Sequence, residues 1–109
     1  MQDLAIQINR LQSKLNLAIR ELKTRGINKA KAEAGYRTAL AEKILIERDS
    51  GMPVTIINDV CRGDRGIAKL KMERDIAEVL YETCLQAIYA TKLEMNIIND
   101  MMMAERKGE

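Results

Sequence analysis

The second half of the chain carries one stripe of mainly apolar residues, here called the seam, whose members recur at alternating steps of three and four. This spacing places them on one face of a helix and is typical of helices that pack against each other. The seam consists of Ile67, Leu70, Arg74, Ala77, Tyr81, Cys84, Ile88, Thr91, Met95, Ile98 and Met102. The pattern predicts one continuous helix over residues 65–106, in which Ala77, Cys84 and Ile88 are buried.

The first half of the chain shows a similar pattern and predicts a helix over residues 3–50. Its apolar face is formed by Leu4, Ile8, Leu11, Leu15, Ala18 and Leu22, and Tyr36, Leu40 and Ile44 continue it. Between these stretches the helix either breaks near Gly26, with Asn28 capping a new start, or continues through a polar layer of Lys29, Glu33 and Arg37. Continuity is favoured, because alanine, lysine and glutamate are strong helix formers and one glycine costs only about 1 kcal/mol.

Turn-forming residues separate the two long helices. Gly51 suits the left-handed position after a helix end, and Pro53 excludes the preceding residue from helical geometry. Thr55 is a candidate N-cap for a short helix over residues 56–62. Asp64 is a candidate N-cap for the long helix that follows, because its carboxylate can accept the first free N–H groups.

The last helix also has a second apolar face, here called the track, on roughly the opposite side from the seam. The track consists of Met72, Ile76, Val79, Thr83, Ala90, Ile97 and Met101. A helix that is apolar on two sides needs cover on two sides. Either the first helix bends over and the connector folds back, or copies of the chain associate, and the second interpretation is favoured because an exposed apolar strip promotes aggregation.

The sequence therefore predicts an all-α fold: a long antiparallel helical hairpin with a short connecting helix, forming one domain over residues 1–109. The hairpins are expected to assemble into a homo-oligomeric bundle, with two or four copies both left open. The oligomer or partner interface is predicted to comprise Met72, Ile76, Val79, Ile97, Met101 and Met102.

Composition argues against catalysis. The 109 residues include no histidine, which is the usual general base near neutral pH and the commonest metal ligand. Three tyrosines are the only aromatic residues, so the core must be built from Leu, Ile, Ala and Met. Cys61 and Cys84 form no CxxC pair, which favours reduced, packed thiols over a regulatory disulfide. We expect no enzyme activity, no cofactor and no metal.

The N-terminal residues have neither a basic start nor a long apolar run, and the chain has no apolar stretch of roughly 18 residues. This pattern predicts an intracellular protein of the cytoplasm that has no contact with membranes. The methionine-rich end, Met101 to Met103, is a candidate docking surface because methionine side chains are flexible.

Basic residues are concentrated in the first helix, where residues 10–37 hold eight lysines and arginines against two acids. Such a stretch can neutralise phosphates, and the candidate nucleic-acid contacts are Arg20, Lys23, Arg25, Lys29 and Lys31. At 3.6 residues per turn, however, these side chains spread around the helix, and no aromatic residues accompany them for base stacking. Pairing with acids of the second helix is the favoured interpretation.

The connector and the start of the last helix carry a resemblance to a known group. It rests on Gly51-Met52-Pro53-Val54-Thr55-Ile56-Ile57, Arg62-Gly63-Asp64, Ala68, Leu70, Arg74-Asp75, Ala77-Glu78 and Tyr81. These residues resemble short, uncharacterised helical proteins encoded by phages and prophages of Gram-positive bacteria, often among early recombination genes. The resemblance implies a role in DNA metabolism or in countering host defence, with no catalytic residues. The sequence thus predicts a non-enzymatic protein that binds and modulates a host or phage protein, and nucleic-acid binding is the alternative.

Overall fold

A computed structural model describes residues 2–108 and contains three α-helices and no strand within that range. Helix α1 spans Gln2–Asp49, α2 spans Val54–Gly63 and α3 spans Arg65–Gly108. The prediction of an all-helical protein is confirmed. Met1 and Glu109, the two ends of the predicted domain, lie outside the described residues.

Helix α1 runs through Gly26 without interruption, so the alternative of a break with Asn28 as a cap is wrong. Lys29 and Glu33 are half-buried, as the predicted polar layer requires. The predicted place of Arg37 in that layer is wrong, because Arg37 is exposed, whereas Tyr36, which was predicted to continue the apolar face, is buried. Leu22, Lys29 and Tyr36 are seven residues apart and keep one heptad position, and Arg37 lies one residue beyond it.

Helix α1 ends in a hydrogen-bonded glycine turn. The N–H of Met52 donates to the carbonyl oxygen of Glu47 at 3.0 Å, and the N–H of Gly51 donates to that of Arg48 at 3.0 Å. This pair of bonds is a Schellman motif, and it requires the left-handed conformation that Gly51 adopts at φ 90°. The prediction for Gly51 is confirmed.

The short helix α2 begins earlier than the sequence predicts. Its N-cap is Pro53, without a side-chain hydrogen bond, so the prediction that Thr55 caps it is wrong. The fixed φ of proline, here −58°, already suits the entry into a helix. At the start of α3, by contrast, Asp64 caps as predicted, since its Oδ2 accepts the N–H groups of Gly66 at 3.1 Å and Ile67 at 3.2 Å.

The chain forms two compact units. Unit 1 is described over residues 2–24 and 81–108, and unit 2 comprises Arg25–Leu80. In unit 1 the two helical segments are antiparallel: the Cys84 thiol donates to the carbonyl oxygen of Ala18 at 3.4 Å, while Leu11 lies beside Ile98. Its buried side chains are Leu4, Leu15, Cys84, Ile88 and Thr91.

In unit 2 the helical segments of α1 and α3 are also antiparallel. Arg25 reaches Leu80 near one end, Glu33 meets Arg74 further along, and Lys43 lies 3.9 Å from Asp64 near the connector. The buried side chains of this unit are Tyr36, Ile57, Cys61 and Ile67. Helix α2 thus contributes two of the four, which explains why it packs at this end.

The seam is the inward face of α3 in both units, because each of its eleven members is buried or half-buried. Cys84 and Ile88 are 6% and 4% exposed, as predicted, whereas Ala77 is only half-buried. Both cysteines are buried free thiols. The hydroxyl of Thr91, the one buried polar seam member, donates to the carbonyl oxygen of Ala87 at 2.8 Å, so it needs no partner from another helix.

Candidate interaction surfaces

The track is exposed in both units. In unit 2, Met72, Ile76 and Val79 are 55%, 50% and 62% exposed. In unit 1, Ile97 and Met101 are also about half exposed. Helix α3 therefore buries its seam and presents its track to solvent, so the alternative in which the first helix and the connector cover the track is wrong within each unit.

In unit 2 the track lines an open groove of about 430 Å³, here called the unit 2 groove. Its lining residues are Arg62, Ala68, Lys71, Met72, Asp75, Ile76, Val79 and Leu80. The floor is apolar, and charged side chains stand at its edge. Such a groove fits the apolar side of another helix better than it fits a small polar molecule.

At the edge of the groove, Lys71 Nζ lies 3.0 Å from Asp75 Oδ2, and Arg74 Nη2 lies 3.0 Å from Asp75 Oδ1. The hydrogen bond from Lys71, followed by that from Arg74, holds the pKa of Asp75 below its ordinary value. Asp75 therefore stays negatively charged at neutral pH and is a fixed charge beside the apolar floor.

Arg74 fixes which face of α3 points outward in unit 2. Its guanidinium lies 4.6 Å from the ring centre of Tyr36, and its Nε lies 3.4 Å from Glu33 Oε2 of α1. The cation–π contact and the ion pair make a charged residue acceptable on the seam. Because these contacts turn the seam toward α1, Met72 and Ile76 must face away from it.

In unit 1 the exposed apolar residues form one row. Leu93, Ile97 and Met101 are four residues apart, and this spacing places them above one another on α3. They are here called the unit 1 row. Met102, the remaining member of the predicted interface, is half-buried and belongs to the seam, whereas Met103 is exposed on a different side of the helix.

The predicted nucleic-acid contacts are divided between the two units. Arg20 and Lys23 are exposed in unit 1, and Lys31 is exposed in unit 2. Arg25 donates to the carbonyl oxygen of Leu80 at 3.1 Å, and Lys29 lines a polar cavity with Glu33, Arg74 and Glu78. Within unit 2, two of the three basic candidates are therefore directed toward α3.

Two exposed residues of α3 were missing from the interface predicted from sequence. Leu80 lines the unit 2 groove, and Leu93 belongs to the unit 1 row. The sequence does contain a signal for both: Leu80 is four residues after Ile76, and Leu93 is four residues before Ile97. Neither residue belongs to the track, because the track was defined by a strict heptad spacing that does not include positions 80 and 93.

Within residues 2–108, no helix combines the length and the apolar character that a membrane crossing requires. The same part of the chain contains no group of three or more His, Cys, Asp or Glu side chains arranged to hold a metal ion. Comparison with known proteins finds no matching family model, no matching curated protein and no matching solved structure.

Proposed function

We propose that this protein is a non-enzymatic helical protein of the phage or prophage type, which binds a host or phage protein and modulates it. It acts in the host cytoplasm, in DNA metabolism or in countering host defence. The resemblance of the connector and early α3 to phage-encoded proteins supports the setting, and the surface of α3 supports the binding role.

One observation carries the binding role: α3 buries its seam and leaves an apolar track exposed in each unit. Contiguous apolar surface of this kind, edged by charges, marks interaction sites in folded proteins. Lys71, Asp75 and Arg74 beside the track are held in ion pairs, and such pairing suits a docking surface better than proton transfer.

The unit 1 row is the surface we assign to the foreign partner. Leu93, Ile97 and Met101 present three apolar side chains over two helical turns, in the i, i+4, i+8 spacing by which helices dock in apolar grooves. Met101 adds an unbranched, polarisable side chain that adapts to partners of different shape.

Affinity capture with matched variants tests this proposal. Immobilised wild-type chain, an Ile97→Asp/Met101→Asp variant and a Leu17→Asp control are exposed to a lysate of phage-infected Gram-positive cells. Leu17 is 63% exposed on α1, so the control adds one carboxylate, against two in the double variant, on an exposed apolar position outside the row. We expect one protein, identified by mass spectrometry, to be retained by wild type and control and lost by the double variant.

Equal capture by all three baits would contradict the role of the unit 1 row. Binding should also change little between low and moderate salt, because apolar contacts are not screened. If instead purified protein shifts single-stranded or duplex DNA, and the shift disappears as salt rises, then the exposed Arg20, Lys23 and Lys31 are the functional residues and the protein-binding proposal fails.

A further inference from the structure

We propose that the unit 2 groove is occupied by the same groove of a second copy of this chain, with the two α3 helices antiparallel and a two-fold axis near Met72. This inference rests on the proposal that the track binds protein, and it names the occupant in unit 2. It leaves the unit 1 row to the foreign partner.

Charge is distributed unevenly along α3 in unit 2. The first turns carry the exposed cations Arg65, Lys69 and Lys71, and the next turns carry Glu73 and Glu78 together with half-buried Asp75. A surface that is basic at one end and acidic at the other is complementary to itself when it is turned around. A second copy therefore meets this surface with opposite charge at each end.

The positions of individual charges around α3 indicate which side chains of the two copies meet. At 3.6 residues per turn, Lys69 and Glu73 flank Met72 on one side, while Lys71 and Asp75 flank it on the other. In an antiparallel pair with a perpendicular two-fold axis, each side meets the same side of the second copy. Lys69 then lies beside Glu73 of the second copy, and Lys71 lies beside its Asp75. Each of these attractive contacts occurs twice in the pair, so together they outweigh the single Glu73–Glu73 and Lys71–Lys71 contacts nearer the axis.

The reverse orientation is unfavourable. In a parallel pair each side meets the opposite side, so Glu73 would approach Lys71 of the second copy, but Lys69 would also approach that Lys71 and Glu73 would approach Asp75. The two kinds of like-charge contact outnumber the attractive one, and such contacts weaken association and exclude wrong arrangements. The charges on the two sides of Met72 therefore select the antiparallel pair.

The apolar residues are symmetric about the same point. Ala68 and Ile76 lie four residues before and after Met72, so an antiparallel partner places each Ile76 over the small Ala68 of the other chain. Met72 itself packs against Met72 of the second copy, and its flexibility suits a position on a symmetry axis. Since the contact covers about four helical turns, we expect weak, concentration-dependent pairing.

Charge-reversal variants test the arrangement by sedimentation velocity. Lys69→Glu alone and Glu73→Lys alone each create two like-charge contacts in a symmetric pair. We expect each change to raise the dissociation constant by about tenfold or more. When the two variants are mixed, both contacts become attractive, and association should return to within about twofold of the wild-type value.

Control variants on α1 test whether the loss of association is specific to the groove. Lys31→Glu and Glu42→Lys reverse exposed charges on α1 in the same unit and should leave association unchanged. Met72→Asp should abolish pairing, while Leu45→Asp, at a comparably exposed apolar position of α1, should not. Circular dichroism melts of all variants confirm that each remains folded.

A wild-type chain that stays monomeric throughout the micromolar range would overturn the inference. So would a mixture of Lys69→Glu and Glu73→Lys that associates no better than either variant alone. Neither result decides whether the unit 1 row binds a foreign protein, because the capture experiment uses substitutions at Ile97 and Met101 and has a different readout.

Discussion

Arg74 shows how single residues decide the outward face of α3. It occupies a position of the seam that would otherwise be apolar, yet Glu33, Asp75 and the ring of Tyr36 all contact its guanidinium. A charge is tolerated on an inward face only when it is paired and hydrogen-bonded. Exposed residues such as Met72 have no such requirement and remain available for contacts with other molecules.

Substitution of Ile88 tests most directly whether the seam is the buried face of α3. At 4% exposure in unit 1, an Ile88→Asp change should place a carboxylate in an apolar core and reduce the free energy of unfolding by about 3 kcal/mol or more. The control Leu17→Asp, on an exposed position, should cost less than about 0.5 kcal/mol. Urea denaturation followed by circular dichroism measures both, and equal stability of the two variants would show that the seam is misplaced.

The carboxyl group of Asp75 gives a pH-dependent prediction. Its pKa is lowered first by the hydrogen bond from Lys71 and then by that from Arg74, so the ionised form is favoured in the folded chain. The associated stability is present above the ordinary carboxyl pKa and is lost as the pH falls through the lowered value. In a carboxyl-carbon NMR titration, Lys71→Ala should raise the pKa of Asp75, whereas Lys69→Ala should leave it in place. An unchanged pKa in Lys71→Ala would contradict the ion pair.

At the scale of elements, α1 and α3 owe their lengths to strong helix formers and to specific ends. The Schellman motif at Gly51 ends α1, and the Asp64 carboxylate begins α3. The sequence predicted both, because turn glycines and N-cap carboxylates act through neighbouring backbone groups. It misplaced the start of α2, since Pro53 preorganises the backbone there without any side-chain hydrogen bond.

Substitution by alanine should change the stability of the chain in opposite directions at Gly35, inside α1, and at Gly51, just after its end. Gly51 adopts φ 90°, which strains any residue with a Cβ, so Gly51→Ala should destabilise the chain by about 1 kcal/mol. Gly35 lies within the helix, and beyond the helix's own nearby backbone a Cβ added there would meet no atom within 4 Å. Gly35→Ala should therefore stabilise the chain by about 0.5–1 kcal/mol. Thermal melting distinguishes the two, and a shift of the same sign for both would contradict the helix end.

The N-cap of α3 provides a second test at this scale. Asp64→Ala removes the acceptor of the Gly66 and Ile67 N–H groups and should cost about 1 kcal/mol of stability. Asp64→Asn keeps a side-chain oxygen that can accept these N–H groups, so this variant should retain most of the stability that Asp64→Ala loses. Urea denaturation would refute the capping role if asparagine and alanine proved equally destabilising.

For the molecule as a whole, the sequence was informative about helices and about which face of α3 is inward. Both follow from local periodicity, as the buried or half-buried state of every seam residue shows. The inward position of Tyr36 was predicted as well, because it lies seven residues after Lys29, whereas Arg37 was misplaced by taking a step of four after Glu33 where the heptad takes a step of three. Leu80 and Leu93 were missed because a strict heptad ignores the i+4 neighbours of Ile76 and Ile97.

What covers the track is a property of more than one chain, so no pattern within a single chain could establish it. The self-complementary charges matter only once a second copy is placed against Met72, with Lys69 and Glu73 on one side of it and Lys71 and Asp75 on the other. We therefore expect an assembly in which the apolar face of α3 in unit 2 lies against protein.

Sedimentation equilibrium of the full chain across the micromolar range tests that claim most directly. We expect an average mass that rises with concentration toward two chains for wild type and for Leu45→Asp, and that stays at one chain for Met72→Asp. A mass of one chain at every concentration, for wild type and variants alike, would contradict it.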